Sequence, residues 1–277
     1  PGETVGLTSS TEQEAAEFFH AKHCIGVANG LEALQIILMS LDIQPGDEVI
    51  TTSLSAVATS LAITTLGAVP VFADIDEFYH LYSEDAAKKI TKKTRAILPV
   101  HLYGQVFDLT GLQSLCKEHD LILIEDAAQA HGAQFQGTTV GNFSVAGALS
   151  FYPTKNLGAY GDGGAILTND AELAKKSSRL RNYGQKERYQ HVLKGLNSRL
   201  DELQAAILRV KLRHLKKWNT RRREIAARYN AGLEDISQLK LPTERKDAVG
   251  VYHLYVVRSP QREKLAQFLR QKKIESD

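Results

Sequence analysis

A chain of 277 residues, 43% apolar and 24% charged, can bury a sizeable core and has the make-up of an ordinary globular protein. Its 34 basic and 32 acidic residues leave a net charge of +2, which excludes a global field that would draw in nucleic acid or an anionic membrane. Cys24 and Cys116, far apart and without motif spacing, read as reduced thiols of a cytoplasmic protein, and the scattered histidines lack the spacing of a metal site.

Short apolar runs alternate with helical patterns through the first two-thirds of the chain. Strands are predicted at 25–28, 48–51, 69–73, 96–100, 121–125, 146–151 and 164–168. Helices are predicted around 31–41, 56–66, 83–90, 109–118 and 171–181. Buried strands alternating with amphipathic helices predict an α/β fold, with a mainly parallel seven-stranded sheet covered on both faces. From Ser198 the texture becomes rich in Leu, Ala, Arg, Lys and Glu, predicting a long linking helix to about Leu233. A strand at 253–257 and a helix at 261–272 would then form a smaller α+β unit. The expected division is a large domain over 1–200, and a linking helix with an incomplete second domain over 201–277. Both ends look cut, as in a fragment of a longer protein; no apolar run reaches the length of a membrane span, and no signal peptide opens the chain. The basic run 211–223 reads as a solvated helix face.

Two segments carry chemistry. The first, Ser150-Phe151-Tyr152-Pro153-Thr154-Lys155-Asn156-Leu157, closes an apolar run and leads into a glycine-rich turn at 158–164. A lysine held there can offer its amine to a pocket instead of to bulk water. The second, Leu121-Ile122-Leu123-Ile124-Glu125-Asp126-Ala127-Ala128-Gln129, delivers a carboxylate at the C-terminal end of a strand, where open α/β sheets bind ligands. A lysine amine and an aspartate aimed at a ring nitrogen are what pyridoxal phosphate asks of a protein. Lys155 would form an imine with the cofactor aldehyde and afterwards move a proton. Asp126 would keep the pyridine nitrogen protonated, Ala128 would let the ring lie flat, and Gln129 would donate to the ring hydroxyl. The phosphate would take the N–H groups of Gly30 and Leu31 at a helix N-terminus and the hydroxyl of Ser150. His131 is expected to pack near the cofactor, while His101 and Tyr103, after a strand end, suit either structure or substrate contact. No Gly-x-Gly-x-x-Gly joins a strand to a helix, which argues against a dinucleotide-dependent dehydrogenase.

In segments 27–34, 58–76, 101–104, 125–133, 150–168 and 197–212 the chain resembles the nucleotide-sugar aminotransferases of fold-type I. The resemblance implies Lys155 as the Schiff-base lysine, Asp126 at the ring nitrogen, Gln129 near the ring hydroxyl and Ser150 on the phosphate. It also implies that Asn197, in Gly195-Leu196-Asn197-Ser198-Arg199, reaches the phosphate in a partner subunit's site, so that the active unit is a homodimer with shared sites. Read without the family, Asn197 would be a plain helix cap. The implied reaction moves an amino group from glutamate or glutamine to a keto-sugar nucleotide, for amino-sugar biosynthesis. Leu180-Arg181-Asn182-Tyr183-Gly184 is similar to the branch that aminates 3-keto-6-deoxyhexoses on dTDP. Two positions depart from the family's pattern: Leu31 stands where many members carry a hydroxyl residue, and Ala56 where many carry an aromatic over the ring. The competing readings are another fold-type I enzyme, such as a cyclitol aminotransferase or a lyase, and a non-catalytic regulator that binds the cofactor.

Overall fold

The computed structural model describes residues 6–276; residues 1–5 and 277, and with them the two ends of the chain, lie outside that range. In chain order the elements are α1 (Leu7–Phe19), β1 (His23–Val27), α2 (Gly30–Ser40), β2 (Glu48–Thr52), α3 (Val57–Thr64), β3 (Val69–Ala73), α4 (Ser83–Lys88), β4 (Thr94–Leu98) and α5 (Leu109–His119). Then come β5 (Ile122–Leu123), β6 (Glu125–Asp126), β7 (Gln134–Phe135), β8 (Thr138–Thr139), β9 (Gly147–Ser150), β10 (Gly164–Thr168) and α6 (Ala171–Leu180). The chain continues through β11 (Gln185–Glu187), β12 (Gln190–His191), α7 (Glu202–Leu233), β13 (Ala248–Val249) and α8 (Arg262–Gln271).

Two four-stranded ladders, ordered β3-β2-β4-β5 and β1-β10-β9-β6, form the main sheet structure. They meet where one extended stretch, 122–126, is divided at Ile124, whose N–H still reaches the Ile97 carbonyl at 3.0 Å. Parallel pairing prevails; only β10 runs antiparallel, against both β1 and β9. Successive strand residues point to opposite faces, and the core divides accordingly. Ala148 and Ile166 pack under α2 and α6 with Leu34, Ile37 and Leu173, whereas Leu149 and Leu167 pack under α1 and α7 with Phe19, Leu208 and Leu212. Further along, Ile50 and Ile97 pack with Leu112 of α5. Both faces are covered, which is why these strands read as continuous apolar runs rather than alternating ones.

Helix α7 is 32 residues, about 48 Å long. Its buried positions, Ala205, Leu208, Leu212, Leu215, Asn219 and Ala226, recur at three- and four-residue spacing and form one stripe. The basic run on α7 is only partly a solvated face: Lys211 donates to the Gly158 carbonyl, and Arg222 donates to the carbonyls of Tyr252 and His253. Arg223 pairs with Glu244 and donates to the Gly250 carbonyl. The strand expected at 253–257 is absent. Side chains on α7 and in the Lys155 turn take the carbonyls just before it, Tyr252 adopts a left-handed φ of 44°, and pairing is confined to β13 on β7 and a Lys240–Arg258 bridge. Helix α1, for which no element was expected, packs its Ala15, Ala16 and Phe19 beside α7.

Candidate active site

Asp126 ends β6 in the middle of the sheet: its N–H reaches the Pro99 carbonyl at 3.0 Å, its carbonyl accepts from His101 N–H at 3.0 Å, and it pairs in register with Ala148 of β9. Its carboxylate is 5% exposed and has two neutral donors, Thr59 Oγ1 at 2.8 Å on Oδ2 and the Ala128 N–H at 3.1 Å on Oδ1. Among the described residues no cation lies within ion-pair distance of it. Burial pushes the carboxyl above the usual range, against the pull of Thr59, Ala128 and the Lys155 charge.

Lys155 stands in the turn after β9, its N–H closing on the Tyr152 carbonyl at 2.9 Å. Gly158 lets that turn close, since a Cβ there would lie 2.4 Å from the Pro153 carbonyl oxygen. Burial holds the ammonium of Lys155 below the ordinary lysine range, and Asp126 pulls it back up. The two expected reacting groups are close enough for each charge to act on the other.

On the other side of β9, the N-terminus of α2 meets Ser150. Asn29 caps the helix by accepting from the Glu32 N–H at 2.9 Å, so the N–H groups of Gly30 and Leu31 have no acceptor within the helix. A Cβ on Gly30 would stand 2.7 Å from Ser150 Cβ and 3.2 Å from its Oγ, so a glycine is required for this close approach. Together these groups form a cradle of two amides and one hydroxyl that suits a phosphate. Gln129 Oε1 accepts from the Tyr103 N–H at 2.9 Å, which fixes the side chain and leaves its amino group to point elsewhere. Ala56 is the exposed N-cap of α3.

Asn197 is exposed and bridges to Asn182, and the cap residue of α7 is Asp201, so the helix-cap reading of Asn197 does not hold. His101 is a structural residue: fully buried, stacked on Phe107 at 4.2 Å and 3.0 Å from Glu125 Oε2. Glu125 also accepts from the N–H groups of Gly141 and Phe143 and from Ser144 Oγ, so it ties a loop to the sheet rather than capping a helix. His131 is buried between Phe19 and Phe151, and its Nδ1 accepts from the Leu157 N–H at 3.1 Å, beneath the Lys155 turn. Thr59 was not singled out from sequence. Nothing local marks it, because its partner Asp126 is 67 residues away.

The DegT/DnrJ/EryC1/StrS aminotransferase family model matches residues 6–277. The dTDP-3-amino-3,4,6-trideoxy-alpha-D-glucose transaminase of Streptomyces venezuelae is 46% identical over 259 residues, 93% of this chain and 68% of the relative. A Geobacillus stearothermophilus protein named Pleiotropic regulatory protein is 47% identical over 95% of this chain and 72% of its own length. A crystal structure of S. venezuelae DesV in complex with a ketimine intermediate superposes with a TM-score of 0.95 at 44% identity, covering 99% of this chain and 74% of that one. The chain belongs to the DegT/DnrJ/EryC1/StrS family and is a pyridoxal-phosphate-dependent sugar aminotransferase.

Proposed function

We propose that this enzyme takes the amino group of glutamate or glutamine and delivers it to a dTDP-linked 3-keto-6-deoxyhexose, using Lys155 and Asp126 as its reacting groups. The observation that carries the reading is the buried Asp126 carboxylate, which has two neutral donors, no ion pair among the described residues, and a desolvated lysine near enough for its charge to act on it. A buried charge of this kind is stable when a cation completes it, and a protonated ring nitrogen supplies one. Pyridoxal phosphate, when bound, provides an electrophilic carbon for amines and a ring that accepts electron density from the adjacent bond.

Asp126 holds the proton at that ring nitrogen, and Thr59 Oγ1 and the Ala128 N–H hold Asp126 in its orientation. Gly30 and Leu31 N–H groups with Ser150 Oγ bind the phosphate, and Ala128 gives the ring a flat neighbour. The Gln129 amino group, its oxygen already engaged by Tyr103, donates to the ring hydroxyl. Lys155 Nζ would hold the cofactor and, once freed, would serve as the base that moves the substrate proton; its lowered pKa supports the neutral amine that this needs. Asn197, exposed on its own subunit, completes the phosphate site of a partner in a homodimer. We take residues 1–200 as the cofactor-binding unit and 201–277 as linking helix and second unit, a division supported by the start of α7 at Glu202. Cys24 and Cys116, both buried and unpaired, support a reducing compartment, the cytoplasm.

The substrate assignment is supported by the name of the Streptomyces relative and is tested directly. Holoenzyme mixed with glutamate should lose its visible lysine-linked absorbance and gain that of pyridoxamine phosphate. A panel of dTDP- and UDP-linked keto-sugars should then show, by product mass, amination of the dTDP-3-keto-6-deoxyhexose. Failure of exchange with glutamate and glutamine overturns the donor, and amination of only UDP-linked sugars overturns the acceptor.

A further inference from the structure

We propose that Asn156 is the positioning residue for Lys155: a hydrogen-bond ring through Asn156, Asn219 and His131 locks the lysine turn, and the C-terminal segment 248–254 docks onto it through Val251 and His253. The proposal rests on Lys155 being the reacting amine.

The directions of the bonds follow from elementary chemistry. The Val251 carbonyl can only accept, so the Asn156 atom 3.0 Å from it is the amino nitrogen. The same nitrogen donates to Asn219 Oδ1 at 3.0 Å, and Asn219 in turn donates to the His131 carbonyl at 2.8 Å. His131 Nδ1 accepts from the Leu157 N–H, which returns the ring to the residue after Asn156. Asn156 Oδ1 is left to accept from His253 Nδ1 at 3.3 Å, which fixes the proton of neutral His253 on that nitrogen. Asn156 is 6% exposed and Asn219 8%, so the bonds among Asn156, Asn219, His131 and Val251 are shielded from water, and the one to His253 is partly so. The segment is held further by the Val251 N–H on the Gly104 carbonyl at 2.8 Å and by Arg222 on the carbonyls of Tyr252 and His253. Gly104 is needed for that docking: a Cβ there would stand 2.8 Å from the His253 nitrogen.

Lys155 is itself desolvated: burial is the main cause of its lowered pKa, and His253 on the docked segment lies close enough to feel its charge. The charged and titratable groups around it are Asp126 after β6, His131 behind the turn, His253 on the docked segment and Arg222 of α7 beyond His253. Both histidines are held neutral, near 3 for His131 and 4 for His253, by burial first and then by the Lys155 charge. Only Asp126 opposes the drying effect.

The test is Asn156→Ala in the full-chain holoenzyme, with two readouts besides turnover. The pH midpoint of the visible absorbance of the lysine-linked cofactor should rise by about one unit as water reaches the turn. Amide exchange over 250–254 should accelerate on the order of tenfold as the Val251 and His253 ties are lost. If that variant does not fold, Asn219→Ala, which removes the acceptor of one Asn156 bond, must show the same two changes. A folded variant that titrates as wild type and keeps its exchange protection overturns the proposal, as does a loss of stability without movement of the midpoint. Lys155→Ala serves as the reference: persistence of the lysine-linked band in it would instead overturn the assignment of Lys155.

Discussion

Replacing Thr59 by Val removes one of the two donors that a buried carboxylate has among the described residues, while keeping the shape of the side chain. The Thr59 hydroxyl has a single proton, which it gives to Asp126 Oδ2 at 2.8 Å, so Ser55 Oγ, 2.9 Å away, must donate to Thr59 and fix its rotamer. Hydrogen bonds to charged groups are worth about 1.5–3 kcal/mol. Losing this one should push the Asp126 pKa, already above the usual range through burial, further up. If the deficit is carried into the transition state, kcat falls about tenfold to a hundredfold. The assay is steady-state kcat and KM across pH, together with cofactor content. Thr59→Val should lower kcat, leave the KM of the sugar nearly unchanged and shift the acidic limb of the profile upward. Thr59→Ser should recover most of the loss, and Ser55→Ala should show a smaller effect of the same sign. Wild-type kcat and pH profile in a fully loaded Thr59→Val enzyme would refute the claim that Asp126 acts as a charged partner tuned by Thr59.

Gly30→Ala places a Cβ 2.7 Å from Ser150 Cβ; overpacking of about 1.5 kcal/mol should weaken cofactor binding about tenfold, read by fluorescence titration. Glu125→Ala leaves His101 Nε2 and the N–H groups of Gly141 and Phe143 without their acceptor, while Ser144 keeps the Ala146 carbonyl, and should cost about 3–5 kcal/mol in denaturant unfolding, with cofactor chemistry affected only through stability. His80 and His131, fully buried, have folded pKa values near 3, against 6.5 for an ordinary histidine. The folded protein binds these protons less well than the unfolded chain. Their contribution is therefore complete above about pH 6.5 and is lost as pH falls toward 3, at about 2–3 kcal/mol per unit for the pair. Melts at pH 6 and 5 should show that slope, and His80→Phe should roughly halve it, since one of the two buried imidazoles is removed.

The strands and helices of the first two-thirds were legible because a doubly covered sheet writes itself as apolar runs bounded by glycine, proline and caps. Lys155 and Asp126 stand out in the sequence for a related reason: each ends or follows such a run, and their residue types are rare there. Four kinds of information were not local. Thr59, Asn219 and His253 owe their roles to partners 67, 63 and 97 residues away, which no periodicity marks. The stretch after residue 250 has the composition of a strand, but its carbonyls go to Asn156 and Arg222, so it docks as irregular chain. The basic stripe on α7 looked like a solvated face because charge reads the same whether a side chain meets water or a carbonyl. The reversed direction of β10 also left no trace, since a buried strand is apolar in either orientation.

Borohydride reduction of the holoenzyme, followed by digestion and mass spectrometry, asks most directly which amine holds the cofactor. The phosphopyridoxyl mass should fall on the peptide containing Lys155, stoichiometrically and on no other lysine. Its appearance elsewhere, or an unmodified Lys155 peptide from a fully loaded enzyme, would contradict the account.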